Sequence, residues 1–342
     1  MARQTTSLRA YALTRLALAL PMILILLTLV FVLMRVAPGD PVAAALGGKV
    51  SPEVLAEKRA QLGIDKSLAL QYVEYLGDVA TLDFGTTITD NRTVTSVILT
   101  NGAATLQLAV SGMLIAVLIG ISVGLVAGRY RDTPIDVIGR LYGIIVYATP
   151  VFFLGFLAQL IIGRELNLLP TSGQASPLVQ YTLEAHTNIM VIDAIIERDW
   201  KALADVLRHL IMPAMTLGMV ISGVVVRMVR VNILQTLRAD YVEAARARGI
   251  REGSVVFNHA FKNALVPVVT MTGLQFALLL SGAILTETTF NWPGLGYQLV
   301  RYLNNRDYTG VQGIITFFAL VVITVSVLID FINAWIDPRV RY

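Results

Sequence analysis

Cysteine is absent from this chain of 342 residues, which excludes disulfide frameworks, thiolate metal sites and cysteine nucleophiles together. Histidine is scarce. His186, His209 and His259 stand in three separate segments with no i,i+4 pair, so the sequence offers no recognisable metal site. Charge is thin as well, at 15% of residues against about 25% in soluble domains. A phosphate-cradling loop is also missing. "LGGKV" comes nearest, but Ala43 stands where its first Gly belongs, and Val50 replaces the hydroxyl that would hold Mg²⁺. The chain therefore carries no recognisable means of hydrolysing ATP.

Hydrophobic residues make up 56% of the sequence, and the mean hydropathy is +0.69. The apolar residues are gathered into blocks, and about six are long enough to cross a hydrocarbon layer roughly 30 Å thick. They fall near 15–36, 103–127, 137–162, 207–229, 265–286 and 311–335. The first block exceeds a signal-peptide core and lacks a small-residue cleavage site, so it reads as an uncleaved span. Arg208 and His209 crowd the start of the fourth. Pro21, Pro150, Pro213 and Pro267 lie in or near spans, where neighbouring helices can re-satisfy freed carbonyls. Gly120, Gly124 and Gly128 recur every fourth residue. They form either a flat packing stripe or a chance pattern in a Gly-rich membrane protein.

With the N-terminus inside, the inner segments collect 15 of the 27 Lys and Arg but only 7 of the 23 acids. That asymmetry favours both termini in the cytoplasm. Asp330 is the one acid well inside a predicted span, near its inner end, where pairing or snorkelling accounts for it. An intramembrane enzyme needs a nucleophile and base, or paired carboxylates, at membrane depth. A secondary transporter needs ion-binding residues at mid-membrane. The first set is missing, and the scarcity of buried charge argues against the second, which stays the less favoured alternative.

Residues 37–102 read as a small folded outer layer. Ser51 is a candidate N-cap with Pro52 at the first helical position and Gly63 as the stop, and Leu55, Arg59 and Leu62 recur at helical spacing. The segment 175–206 has a similar helical rhythm. On the inner side, "DYVEAARARGI" at 240–250 interrupts the apolar sequence. Asp240 is a candidate N-cap and Glu243 its capping-box partner. Ala244, Ala245 and Ala247 favour helix, and Gly249 suits a left-handed stop. A helix of about two turns is unstable alone. It either docks into a groove on another protein or lies on the membrane surface as a connector.

This stretch resembles the EAA loop of ABC-importer permeases, the coupling helix that sits in a cleft of the ATPase subunit. The superfamily's frequent Ile-x-Leu-Pro closure is altered here, with His259 at the Ile position and Val266-Pro267 later. That later closure is similar to the dipeptide/oligopeptide/nickel class. So are "RVAPGDP", "QLGIDKSLALQYVEYL", "LDFGTT", "TPVFFLGF", "LRHLIMPAMTLG", "FNWPGLGYQLV" and "IDPRVRY", in order along nearly the whole chain. The resemblance implies an all-α polytopic protein of the type I importer permease fold. A cytoplasmic N-terminus and the first span are expected over 1–36, an extracytoplasmic segment over 37–102, and a five-span core over 103–342 with a cytoplasmic coupling loop at 230–264.

It also implies a second, similar permease, two cytoplasmic ATPases, an external solute-binding protein and a bacterial inner membrane. ATP and Mg²⁺ would sit on the ATPases, with no cofactor on this chain. Asp240, Tyr241, Glu243, Ala244, Ala245 and Gly249 would carry coupling. Trp292, Pro293, Gly294 and Gly296 would form a structural outer turn, with Trp292 suited to the membrane–water interface. Short peptides are the implied cargo, with nickel chelates and oligosaccharides as alternatives.

Overall fold

The structure, a computed structural model, describes residues 8–36, 41–45, 51–61 and 63–336. "LGGKV", Leu62 and much of "RVAPGDP" and "IDPRVRY" lie outside the described residues. In chain order, α1 (Leu8–Val36) leads into a layer of α2 (Pro41–Ala45), α3 (Pro52–Gln61) and α4 (Leu68–Ala80). Next come α5 (Val94–Arg129), α6 (Pro134–Ala148) and α7 (Val151–Ala158), which continues as a π-helical stretch over Gln159–Glu165. Two short helices, α8 (Pro177–Thr182) and α9 (Met190–Ile196), precede α10 (Trp200–Thr236). Beyond it lie α11 (Asp240–Ala247), α12 (Glu252–Ser254), a second π stretch over Val255–Phe261, and α13 (Lys262–Gly282). The described chain closes with α14 (Ile284–Thr289), α15 (Leu295–Asn304) and α16 (Tyr308–Ile336). Among the described residues, the one β contact is an isolated bridge between Thr86 and Thr93.

Among the described residues, five helices are long and apolar enough to cross a membrane, and α6 with α7 makes a sixth if the bent pair is one span. That pair corrects the continuous third span expected over 137–162. The two halves meet at 99°, because Thr149 is extended and Pro150 follows it. A residue before proline is driven out of the helical region. Pro21, Pro213 and Pro267, by contrast, lie inside unbroken helices.

The second and fourth spans are also longer than expected. α5 has 36 residues and α10 has 37, so each runs about 55 Å at 1.5 Å per residue. Their true starts lie upstream of the apolar blocks, at polar caps. The Thr93 hydroxyl accepts from the Ser96 amide, and the Asp199 carboxylate accepts from the Lys201 and Ala202 amides. Arg208 and His209 do not interrupt α10. Arg208 donates to the Leu168 carbonyl, and His209 Nδ1 donates to the Asp205 carbonyl at 2.8 Å.

α5 and α10 run parallel and form the centre of the bundle. The glycine stripe is their contact. A Cβ placed on Gly120 would stand 2.4 Å from the Val225 side chain, and one on Gly124 would stand 2.7 Å from Val229. Gly128 faces Ile233 in the same register. Lipid gives no hydrophobic drive for helices to associate, so close backbone approach and dispersion hold such a pair. The outer faces of α1 and α6 stay exposed and apolar, through Leu16, Leu20 and Ile25 on one and Ile138, Leu141 and Ile145 on the other.

Arg15 near the start of α1 meets Asp330 near the end of α16 at 3.2 Å, the pairing expected for that acid. At the other end of these helices, α4 bridges them, with the Tyr72 hydroxyl on Thr28 and Tyr75 on Thr316. The two ends of the described chain thus lie on the same side of the bundle. At α3, Ser51 accepts from the Val54 amide, Pro52 opens the helix, and Gly63 has a φ of +64°, as the sequence pattern implies.

Candidate functional site

The segment after α10 is built around α11. Val242 and Ala245 are buried against Val255, with Leu237 and Ile250 packed beside them. Tyr241, Glu243, Ala244, Ala247 and Arg248 are exposed. Ala245 therefore faces its own chain, while Tyr241 and Ala244, three residues apart, share an outward face. Asn263 donates to the Tyr241 hydroxyl at 2.8 Å, which ties the head of α11 to the start of α13.

The ends of α11 differ in how they follow the sequence. Asp240 does not cap the helix. Ala239 holds the cap position without a side-chain bond, and Asp240 is the first helical residue. One position too late to accept from its own first turn, Asp240 still joins Glu243 in placing negative charge at the positive end of the helix. The C-terminal end is as read. Gly249 has a φ of +74°, its amide donates to the Arg246 carbonyl, and the Ile250 amide donates to Ala245. These paired bonds are a Schellman closure. Arg246 then forks onto Glu252, with Nη2 at 2.7 Å, and reaches the Leu237 carbonyl at 3.3 Å. The shared hydrogen bond raises the Arg246 pKa and lowers that of Glu252.

The outer turn, at the opposite end of the bundle, closes around a residue the sequence did not single out. Glu287 is fully buried. It accepts from the Thr105 hydroxyl at 2.7 Å and from the Tyr297 amide at 2.9 Å, and the Gly296 amide also bonds it. A Cβ on Gly294 would stand 2.3 Å from the Glu287 carboxyl carbon, so only glycine leaves room for the acid. Asn101 donates to the Pro293 carbonyl at 2.7 Å.

Trp292 corrects the interfacial placement. It is fully buried in the core with Leu108 and Leu210, and its indole donates to the Ala104 carbonyl at 2.9 Å. That bond satisfies the polar N–H inside the protein, so the ring needs no contact with the membrane–water boundary. α7 buttresses the same turn, with Gly155 against Thr289 and Phe290, and Gln159 donating to the Thr289 carbonyl.

A second missed feature lies at the α11 end of the bundle. Asp136, in the first turn of α6, is fully buried and accepts a two-pronged bond from Arg230 of α10, at 2.5 and 2.8 Å. The Asp132 amide adds a third bond. Of the histidines, His186 hydrogen-bonds Glu197, with Glu184 alongside. These three groups place their ligand atoms within 4.8 Å of one another on an exposed loop, a proximity the sequence spacing did not disclose.

These features define a polytopic helical membrane protein with a short helix hung from its central span and a closed turn opposite. Residues 116–342 match the family described as "Binding-protein-dependent transport system inner membrane component", and residues 8–109 match the N-terminal family of the same systems. The chain belongs to this family, as a transport subunit of an ABC importer in the inner membrane. It is 38% identical over 329 residues to a di/tripeptide transport system permease of Pseudomonas aeruginosa, covering 96% of this chain and 97% of that one. A dipeptide transport system permease of Alkalihalophilus pseudofirmus is 34% identical, with 97% and 99% covered. A glutathione transport system permease of Salmonella typhi is 35% identical, again with 97% and 99% covered.

Proposed function

We propose that the chain is one of two permeases in an ATP-driven importer of short peptides, and that α11 is the peg its ATPase engages. One observation carries the peptide reading. Relatives named for dipeptides, di/tripeptides and glutathione align with this chain from end to end at similar identity. Nickel chelates and oligosaccharides are the alternatives. The partner permease is a similar, non-identical chain, and two ATPases carry ATP and Mg²⁺. Positive charge concentrated in the inner segments supports cytoplasmic termini, and the Arg15–Asp330 pair supports both terminal ends lying on one side.

Asp240, Tyr241, Glu243 and Ala244 form the exposed face offered to the ATPase, Ala245 anchors the helix from behind, and Gly249 sets its end. Trp292, Pro293, Gly294 and Gly296 are structural. ATP-driven closure of the ATPases moves α11 and switches the spans between two packings, each favoured by a different nucleotide state. Co-expression with the neighbouring transport genes tests the reading. An ATPase should co-purify with the chain, and the reconstituted complex should take up a labelled dipeptide only with ATP and the solute-binding protein. Uptake by the chain alone would overturn it.

A further inference from the structure

α11 hangs from α10 by three residues and is braced to its end by the Arg246–Leu237 bond. Displacement of α11 therefore acts directly on the end of α10, and on α13 through Val255 and the Tyr241–Asn263 bond. α10 is fixed along α5 by the glycine contacts. α6 touches α5 as well, with Gly139 against Ala127 and Val123. Its far face is exposed, and it leads directly to the break at Pro150, beyond which α7 supports the outer turn. α6 meets α10 through the Asp136–Arg230 fork, the Tyr142–Ser222 hydroxyl pair at 2.8 Å, and the close pass of Gly143 over Gly223, with Val146 and Val226 packed beside it. The fork alone lies at the inner end, in the last two turns of α10 before α11.

We propose that Asp136 and Arg230 are positioning residues, a strut that makes the inner end of α6 follow α10 so that movement of α11 reaches the bent third span. This rests on the coupling reading given above. The choice of residues supports it. Apolar side chains of similar volume hold two helices together at least as well as a buried ion pair. What a guanidinium–carboxylate fork adds is fixed orientation. Asp136 has the Asp132 amide on Oδ2 and Arg140 3.9 Å from Oδ1, so its carboxylate is clamped from both sides.

The test uses the full complex in proteoliposomes and reads solute taken up per ATP hydrolysed. The variants are Asp136→Asn, Arg230→Lys, the apolar double Asp136→Leu/Arg230→Met, and Glu243→Lys in parallel. The double variant is included because it keeps the helices packed. Asp136→Asn and the double should assemble and hydrolyse ATP while the ratio falls about fivefold or more. Arg230→Lys, which keeps the charge without the fork, should fall between. A wild-type ratio in the double, or losses that track only the amount of assembled complex, would overturn the strut. If Glu243→Lys uncouples while the pair variants do not, the strut alone fails. If Glu243→Lys leaves the ratio unchanged, the coupling reading fails.

Discussion

Thr105 on α5 gives its hydroxyl proton to Glu287 and receives one from the Leu295 amide, at 2.7 and 2.8 Å. A single side chain thus joins both sides of the outer turn to the central helix, from 182 and 190 positions away. Every group around the Glu287 carboxylate is a donor. Glu287→Gln would turn an amide N–H₂ toward them, and Thr105→Val would leave the Leu295 amide unpaired. Each should destabilise the protein by about 2 kcal/mol or more. Thermal unfolding in detergent measures this, and unchanged midpoints would show that the turn does not depend on the network.

The α5–α10 contact gives a second expectation. Gly120→Val and Gly124→Val force side chains into space already filled by Val225 and Val229. Overpacking of a tight core costs about 1–3 kcal/mol, and backbone approach this close should bring the upper end. Yield of monodisperse protein and unfolding temperature should both fall, whereas Gly77→Ala, in open space on α4, should leave them unchanged.

On the exposed loop, the hydrogen bond that His186 donates to Glu197 raises the His186 pKa above its ordinary value, about 6.5. A raised folded-state pKa means the pair's contribution is fully present below the unfolded value and is lost as pH rises through the folded one. Glu197→Gln should bring the titration back toward the ordinary value. With three histidines in the chain, NMR of histidine-labelled protein can follow each ring. An unchanged His186 midpoint in the variant would contradict the pairing.

Local devices were legible in the sequence, and long-range ones were not. The close of α11 at Gly249 and the opening of α3 at Ser51-Pro52 depend on residues within one turn, so their chemistry is visible in a short window. The glycine stripe was visible as a pattern but not as a contact, because nothing in α5 names α10 as its partner. Asp136 and Glu287 each stand one residue outside a predicted span, where an acid looks like ordinary loop polarity. Their partners Arg230 and Thr105 are 94 and 182 positions away. The broken third span escaped for another reason. Proline in a membrane helix often only kinks it, and whether Pro150 breaks the span depends on what receives α7, here Thr289 and Phe290.

Gly249→Val isolates the closure of α11. A β-branched residue at φ +74° costs roughly 1–2 kcal/mol, confined to an exposed inner segment with open space around it. The variant should insert and assemble with normal yield yet transport less solute per ATP. Uptake equal to the parent would show that the end of α11 need not be fixed.

Because the chain has no cysteine, Ala244→Cys places a single thiol on the exposed face of α11. In the assembled complex, a short thiol cross-linker should join it to an ATPase subunit, with a yield that changes when ATP is bound. A thiol that forms no ATPase adduct in the intact complex, or that a membrane-impermeant reagent labels from outside the cell, would contradict the account.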